Sequence, residues 1–102
     1  MIVYNVTVNI ENDVCEEWLS WMQQTHIPQV MQTGYFTAFS FNKLLDRQDD
    51  ETGTTYVIQY TAPSMLHYEQ YQALCAPALQ AETKRLFEGK FVAFRTLMES
   101  VQ

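Results

Sequence analysis

Apolar residues fall at every second position from Ile2 to Ile10, with Val3, Asn5, Thr7 and Asn9 between them. A period of two puts Ile2, Tyr4, Val6, Val8 and Ile10 on one face of a strand and the more polar set on the other. The period then changes. Asn12 and Asp13 offer N-cap oxygens, and Glu16 and Glu17 place negative charge in a first helical turn, where the helix dipole favours it. Val14, Trp18, Trp21, Met22 and Thr25 recur at helical spacing, so an amphipathic helix is expected over about residues 13–26. Pro28 lacks the amide that would continue the ladder and pushes Ile27 towards an extended backbone. A break or kink is expected there, then one more turn through Val30 and Met31, ending at Gly34.

Tyr35 to Leu45 is aromatic and free of proline, which predicts a second strand. A polar, acidic turn at Asp46–Gly53 leads into a third strand over Thr54–Ala62, so these two form an antiparallel hairpin. Pro63 and Ser64 end that strand and cap a helix carrying Tyr68, Tyr71, Cys75, Ala78 and Leu79. Pro77 is read as the start of a second helical segment running to about Phe87, closed by Gly89. Phe91–Met98 is the fourth strand. The order βαββαβ with two helical crossovers predicts a ferredoxin-like α+β domain spanning residues 1–102: a four-stranded antiparallel sheet with two helices on one face.

Helices on one face leave the other face open. On the first strand Val3, Asn5, Thr7 and Asn9 point that way, and on the third Val57, Gln59 and Thr61. On the fourth strand, placing Arg95 under the helices would desolvate a charge. Val92, Phe94, Thr96 and Met98 are therefore expected inward, with Phe91, Ala93, Arg95 and Leu97 open. The second strand is undecided, because Phe39 and Phe41 oppose Phe36, Ala38 and Ser40. A partly apolar sheet face usually finds a partner, and two such faces would pack into a barrel-like homodimer.

Composition narrows the function. Six basic and twelve acidic residues give a formal charge of −6, which argues against nucleic acid, whose binding depends on neutralising phosphates. Apolar runs among the first thirty residues are only a few residues long, too short for a signal segment or a membrane span. Cys15 and Cys75 form no C-x-x-C pair and are read as small apolar side chains in a reducing, cytoplasmic setting.

The blocks Tyr4-Asn5-Val6-Thr7-Val8, His26-Ile27-Pro28 and Phe91-Val92-Ala93-Phe94-Arg95-Thr96 are similar to those of a family of small bacterial proteins of unknown function. Glu17-Trp18-Leu19-Ser20-Trp21-Met22, Thr33-Gly34, Thr55-Tyr56, Gln59-Tyr60 and Ala76-Pro77 fit the same pattern, so the likeness covers almost the whole chain. The resemblance implies a ferredoxin-like domain related in shape to the dimeric α+β-barrel superfamily. That superfamily includes cofactor-free monooxygenases, small isomerases and haem enzymes. It carries over no catalytic residue.

Candidate chemistry is sparse. His26, at the helix break, could serve as a general base; the plainer reading is that it caps a helix C-terminus. His67 is read as a surface residue. Arg95 is the best candidate for a ligand contact, because a guanidinium grips a carboxylate or enolate in two places; the plainer reading is an interface ion pair. Asn5, Thr7 and Gln59 would lie near it and orient a small polar ligand, or else line a dimer seam. Trp18 and Trp21 read as core. Asp46, Asp49, Asp50 and Glu51 lack the ligand pattern of a calcium loop. No metal-ligand spacing and no cofactor motif is present. Two functions follow: a cytoplasmic homodimeric module with a structural, interaction or small-ligand-binding role, or a cofactor-independent monooxygenase- or isomerase-like enzyme acting on a small organic substrate in an open-face pocket.

Overall fold

The computed structural model describes residues 1–46 and 52–102. Strands β1 (Ile2–Ile10), β2 (Ala38–Lys43), β3 (Thr54–Ala62) and β4 (Phe91–Glu99) form one antiparallel sheet in the order β2-β3-β1-β4. Helices α1 (Cys15–Trp21) and α2 (Ile27–Gln32) lie in the first crossover, and α3 (Met65–Leu74) and α4 (Ala76–Phe87) in the second. This is the expected ferredoxin-like arrangement. The acidic turn expected at Asp46–Gly53, with Asp49, Asp50 and Glu51, falls largely outside the described residues.

The first crossover differs from the expected single helix with a break. Met22–His26 forms a π turn between α1 and α2, with the Ile27 N–H donating to the Met22 carbonyl. Pro28 then stands in the first turn of α2, where its missing N–H costs nothing. Widening the helix by one residue admits the proline without a break. The buried positions record it: Trp18, Met22, Ile27 and Val30 all face the core, and the step from Met22 to Ile27 is one residue longer than an α-helix allows. The expected N-cap oxygens are used elsewhere. Asn12 accepts a hydrogen bond from the Thr54 hydroxyl at 2.8 Å, and Asp13 pairs with Lys90 at 2.8 Å. Both tie the helix entry to the sheet instead of to its own backbone. Gly34, with φ of +83°, ends α2 in a conformation that other residues rarely adopt.

Register decides the two sheet faces, because residues paired across strands share a face. On β1 and β3 the expected faces hold. On β2, Phe39 and Phe41 pair with Tyr60 and Ile58 and point to the helices. On β4 the expectation is reversed. Val6 pairs with Arg95 and Val8 with Ala93, so Phe91, Ala93, Arg95 and Leu97 lie on the helix side. Val92, Phe94, Thr96 and Met98 lie on the open side. The argument from burying a charge fails because β4 is an edge strand: Arg95 points to the helix side yet stays exposed, so no desolvation cost arises.

In the second crossover Ser64 caps α3 by accepting from the His67 N–H at 3.4 Å and shares a 2.7 Å hydrogen bond with the His67 ring. Pro77 opens α4 in its first turn, as expected. Helix α4 is buried at its two ends, through Ala76 and Phe87, while its middle spans open space beside the sheet. The core between the layers is aromatic, with Tyr4, Phe36, Tyr60, Tyr68 and Tyr71 in mutual ring contact and Trp18 against Phe41 and Tyr56.

Candidate functional site

Under the middle of α4 a cleft opens between the helices and the sheet. Its free volume is about 50 Å³, room for a few waters, and reaches about 540 Å³ when the open mouth is included. Tyr4, Val6 and Val8 of β1 floor it, Leu79, Gln80 and Thr83 of α4 roof it, and Tyr71 of α3 closes one side. The π turn brings His26 into it, and β4 brings Arg95. Two of the residues singled out from sequence therefore meet in one cleft, although Arg95 had been expected on the other surface.

His26 is held firmly and left unsatisfied. Its imidazole stacks on Trp21 with ring centroids 4.8 Å apart and planes at 30°. Its Nδ1 is buried and has no hydrogen-bond partner among the described residues, which costs on the order of 1–3 kcal/mol for a polar group shut away from water. The reading of His26 as a helix cap does not hold, because α2 continues the helix beyond it. Burial, and secondarily the positive charge of Arg95, lower the imidazole to about 4, so it is neutral at physiological pH. Burial also pushes the Tyr60 and Tyr71 hydroxyls upward, Tyr71 being eased back somewhat by Arg95. Both stay protonated donors. Among the described residues Arg95 is the one formally charged side chain lining the cleft.

Asn5, Thr7 and Gln59 lie elsewhere. They sit on the open sheet face, separated from Arg95 by the thickness of the sheet. There they satisfy one another: Gln59 donates to the Asn5 carbonyl at 3.2 Å, and Asn5 donates to the Thr7 hydroxyl at 3.1 Å. Asn5 is only 8% exposed. Around them stand Val3, Val57, Val92, Phe94, Met98 and further small or polar residues, and no residue of the open face formed by β1–β4 carries a charge. Sequence reading missed Tyr71, Gln80 and Thr83 as site residues. The helical repeat Leu79–Thr83 pointed to a shared face, but not to an empty space beneath it. Among the described residues no cluster of His, Cys, Asp and Glu could hold a metal ion, and no helix is long and apolar enough to cross a membrane.

The family model described as "Domain of unknown function (DUF4286)" matches residues 1–101. The chain belongs to this family. A search of the curated proteins found no match for this DUF4286 chain, whereas solved structures share its fold over nearly its full length. An ethyl tert-butyl ether d (ethd) family protein from Bacillus halodurans superposes with a TM-score of 0.73 at 9% identity, covering 99% of this chain and 100% of that one. A dimeric ferredoxin-like protein from an uncultured marine organism gives 0.72 at 8% identity, covering 100% and 96%. SnoaB from Streptomyces nogalater, a cofactor-independent oxygenase, gives 0.65 at 14% identity, covering 99% and 94%. At such identities the likeness is one of fold. The DUF4286 chain is thus a ferredoxin-like α+β protein whose structural neighbours include a dimeric ferredoxin-like protein and a cofactor-independent oxygenase.

Proposed function

We propose that residues 1–102 act as one domain of a cytoplasmic homodimer, joined through the open sheet face, in which each subunit holds a small organic ligand in the cleft beneath α4. The observation that carries the ligand is the cleft itself, which brings His26 and Arg95 together against aromatic and apolar walls. The uncharged open face supports the pairing, since interface cores are depleted of charge. Of the residues singled out from sequence, Arg95 and His26 are assigned to the ligand, and Asn5, Thr7 and Gln59 to the seam. Two free cysteines support the reducing compartment, and a formal charge of −6 disfavours nucleic acid as a partner.

A second reading, a cofactor-independent enzyme, draws on the fold shared with SnoaB and on an imidazole lining the same cleft as a guanidinium. His26 would take a proton from a carbon beside a carbonyl, Arg95 would hold the resulting enolate, and the proton would return to a different carbon. An imidazole lowered to about 4 is a poor base at neutral pH, because efficient proton transfer needs a pKa near the working pH. Binding is therefore the first reading. The test is a fragment screen followed by amide and imidazole NMR shifts. Hits that perturb His26, Trp21 and Gln80 together are expected, and a library that leaves those signals unmoved would remove the ligand site.

A further inference from the structure

The tyrosines of the cleft do more than pack. Tyr4 and Tyr60 are paired directly across β1 and β3, and Val6, the next residue on that face of β1, pairs with Arg95 of β4. Register thus sets two phenols and a guanidinium side by side on the helix side of the sheet. Tyr71 comes down on them from α3, its ring centroid 6.2 Å from that of Tyr4. The three tyrosines are only 3% or 4% exposed, and all of them line the cleft together with Arg95. Their hydroxyls form no hydrogen bond with any described residue. Unlike His26 Nδ1, none of these oxygens is closed off from solvent, so the little surface they keep opens where the residues line the cleft. Burial chiefly pushes the Tyr60 and Tyr71 hydroxyls upward, and each lies within electrostatic reach of its phenolic neighbours, Tyr71 also of Arg95. Three unspent phenolic donors therefore converge beside one cation, and no acidic side chain among the described residues lines the space.

Resting on the ligand-binding reading above, we infer that the ligand is a small organic monocarboxylate, its carboxylate accepting hydrogen bonds from the Tyr4, Tyr60 and Tyr71 hydroxyls and facing the guanidinium of Arg95. An ionised carboxylate only accepts, and its two oxygens have room for several donors. Bonds to it are about twice as strong as those between neutral partners. Arg95 stays exposed, so pairing with it does not take both charges out of water. A dianion would leave its second charge without a cation in the lining, and an ammonium would meet a like charge. The apolar part of the acid replaces water against Val6, Val8 and Leu79, which favours an organic acid over an inorganic anion. Its size follows from the free volume of about 50 Å³, the room taken by a few waters.

The test is calorimetric titration of the purified protein, with binding located by the Arg95 Nε–H and Gln80 amide NMR shifts. The probes are isobutyrate, its uncharged isostere isobutyramide, the cation isobutylammonium and inorganic phosphate at about pH 8, where it is largely a dianion. Isobutyrate is expected to bind, the amide and phosphate at least about tenfold more weakly, and the cation not at all. Tyr60→Phe and Tyr71→Phe keep the ring and remove the donor. Each should weaken isobutyrate about tenfold while leaving the urea midpoint unchanged or higher, because no bond within the protein is lost. A hydroxyl with a merely structural role would lower the midpoint and spare the affinity. Arg95→Gln should remove the preference for carboxylate over amide. Tyr35→Phe and Lys84→Ala, which remove a phenol and a charge that do not line the cleft, should leave that preference intact. Equal affinity for the amide, the cation or phosphate, or unchanged isobutyrate binding in either tyrosine variant, overturns the inference; shifts at Gln80 in those cases keep the cleft as a ligand site of another class. If no probe binds, the inference falls, and the fragment screen above decides the cleft independently.

Discussion

His26 is where burial, stacking and charge meet on one side chain, and its titration carries a stability signature. Its folded value of about 4 lies below the ordinary 6.5. Above that range folded and unfolded chains both hold it neutral, and it contributes no pH dependence. As pH falls from 6.5 towards 4, the unfolded chain takes up a proton that the folded chain refuses, so stability declines by up to roughly 3 kcal/mol. Urea unfolding at pH 7 and pH 4.5 should show this loss, and His26→Gln should flatten that part of the profile. The exposed Asp13–Lys90 and Glu82–Arg85 pairs hold their carboxyls low, so what they contribute is lost at more acidic pH. A second residue is decided by backbone. Gly53 has φ of +81°, and a β-carbon there would run into the Ile10 carbonyl oxygen. Gly53→Ala should cost about 2 kcal/mol or more in the same unfolding measurement. His26 and Arg95 were legible from sequence as the residues worth watching. That they share a cleft was not, because nothing in the local pattern says which edge of the sheet a charge will hang over.

At the scale of elements, the alternation in β1 and β3, the Ser64 cap and the Pro77 helix start were all readable, since each depends on neighbours in the chain. Strand β4 was not. Phe91, Ala93 and Leu97 alternate with Val92, Phe94 and Met98, so both faces are apolar and only pairing with β1 breaks the tie. The π turn left a trace that could have been followed: the step from Met22 to Ile27 is too long for α-helical packing. Deleting Gln24, which is exposed within that turn, should return Trp18, Met22, Ile27 and Val30 to α-helical spacing. The imidazole would then swing away from the cleft. The expected readout is loss of the upfield ring-current shift that Trp21 imposes on the His26 protons.

At the scale of the molecule, an uncharged sheet face on a chain of formal charge −6 makes two predictions about association. Phe94 is 66% exposed and Val92 57% exposed on that face. Phe94→Lys, which places a cation on each of the two apposed sheet faces, should convert a dimer in light scattering to monomer at about tens of micromolar. Salt supplies the second test. An interface held by ion pairs weakens as salt is added, but the proposed seam, whose strands present no charge on that face, contains none to screen. What salt screens is the mutual repulsion of two acidic subunits. The dimer dissociation constant should therefore fall between about 20 and 200 mM salt, and a rise would contradict the pairing surface.

The hydrogen bonds from Gln59 to Asn5 and from Asn5 to Thr7 turn these three side chains at the middle of that surface towards one another. The proposed seam, so built, would have no electrostatic password: it would distinguish one companion from another by contour alone, through the relief of Phe94, Val92 and Met98. Where a cell makes two chains with the same relief, their subunits should mix freely, and mixed pairs would carry two different clefts.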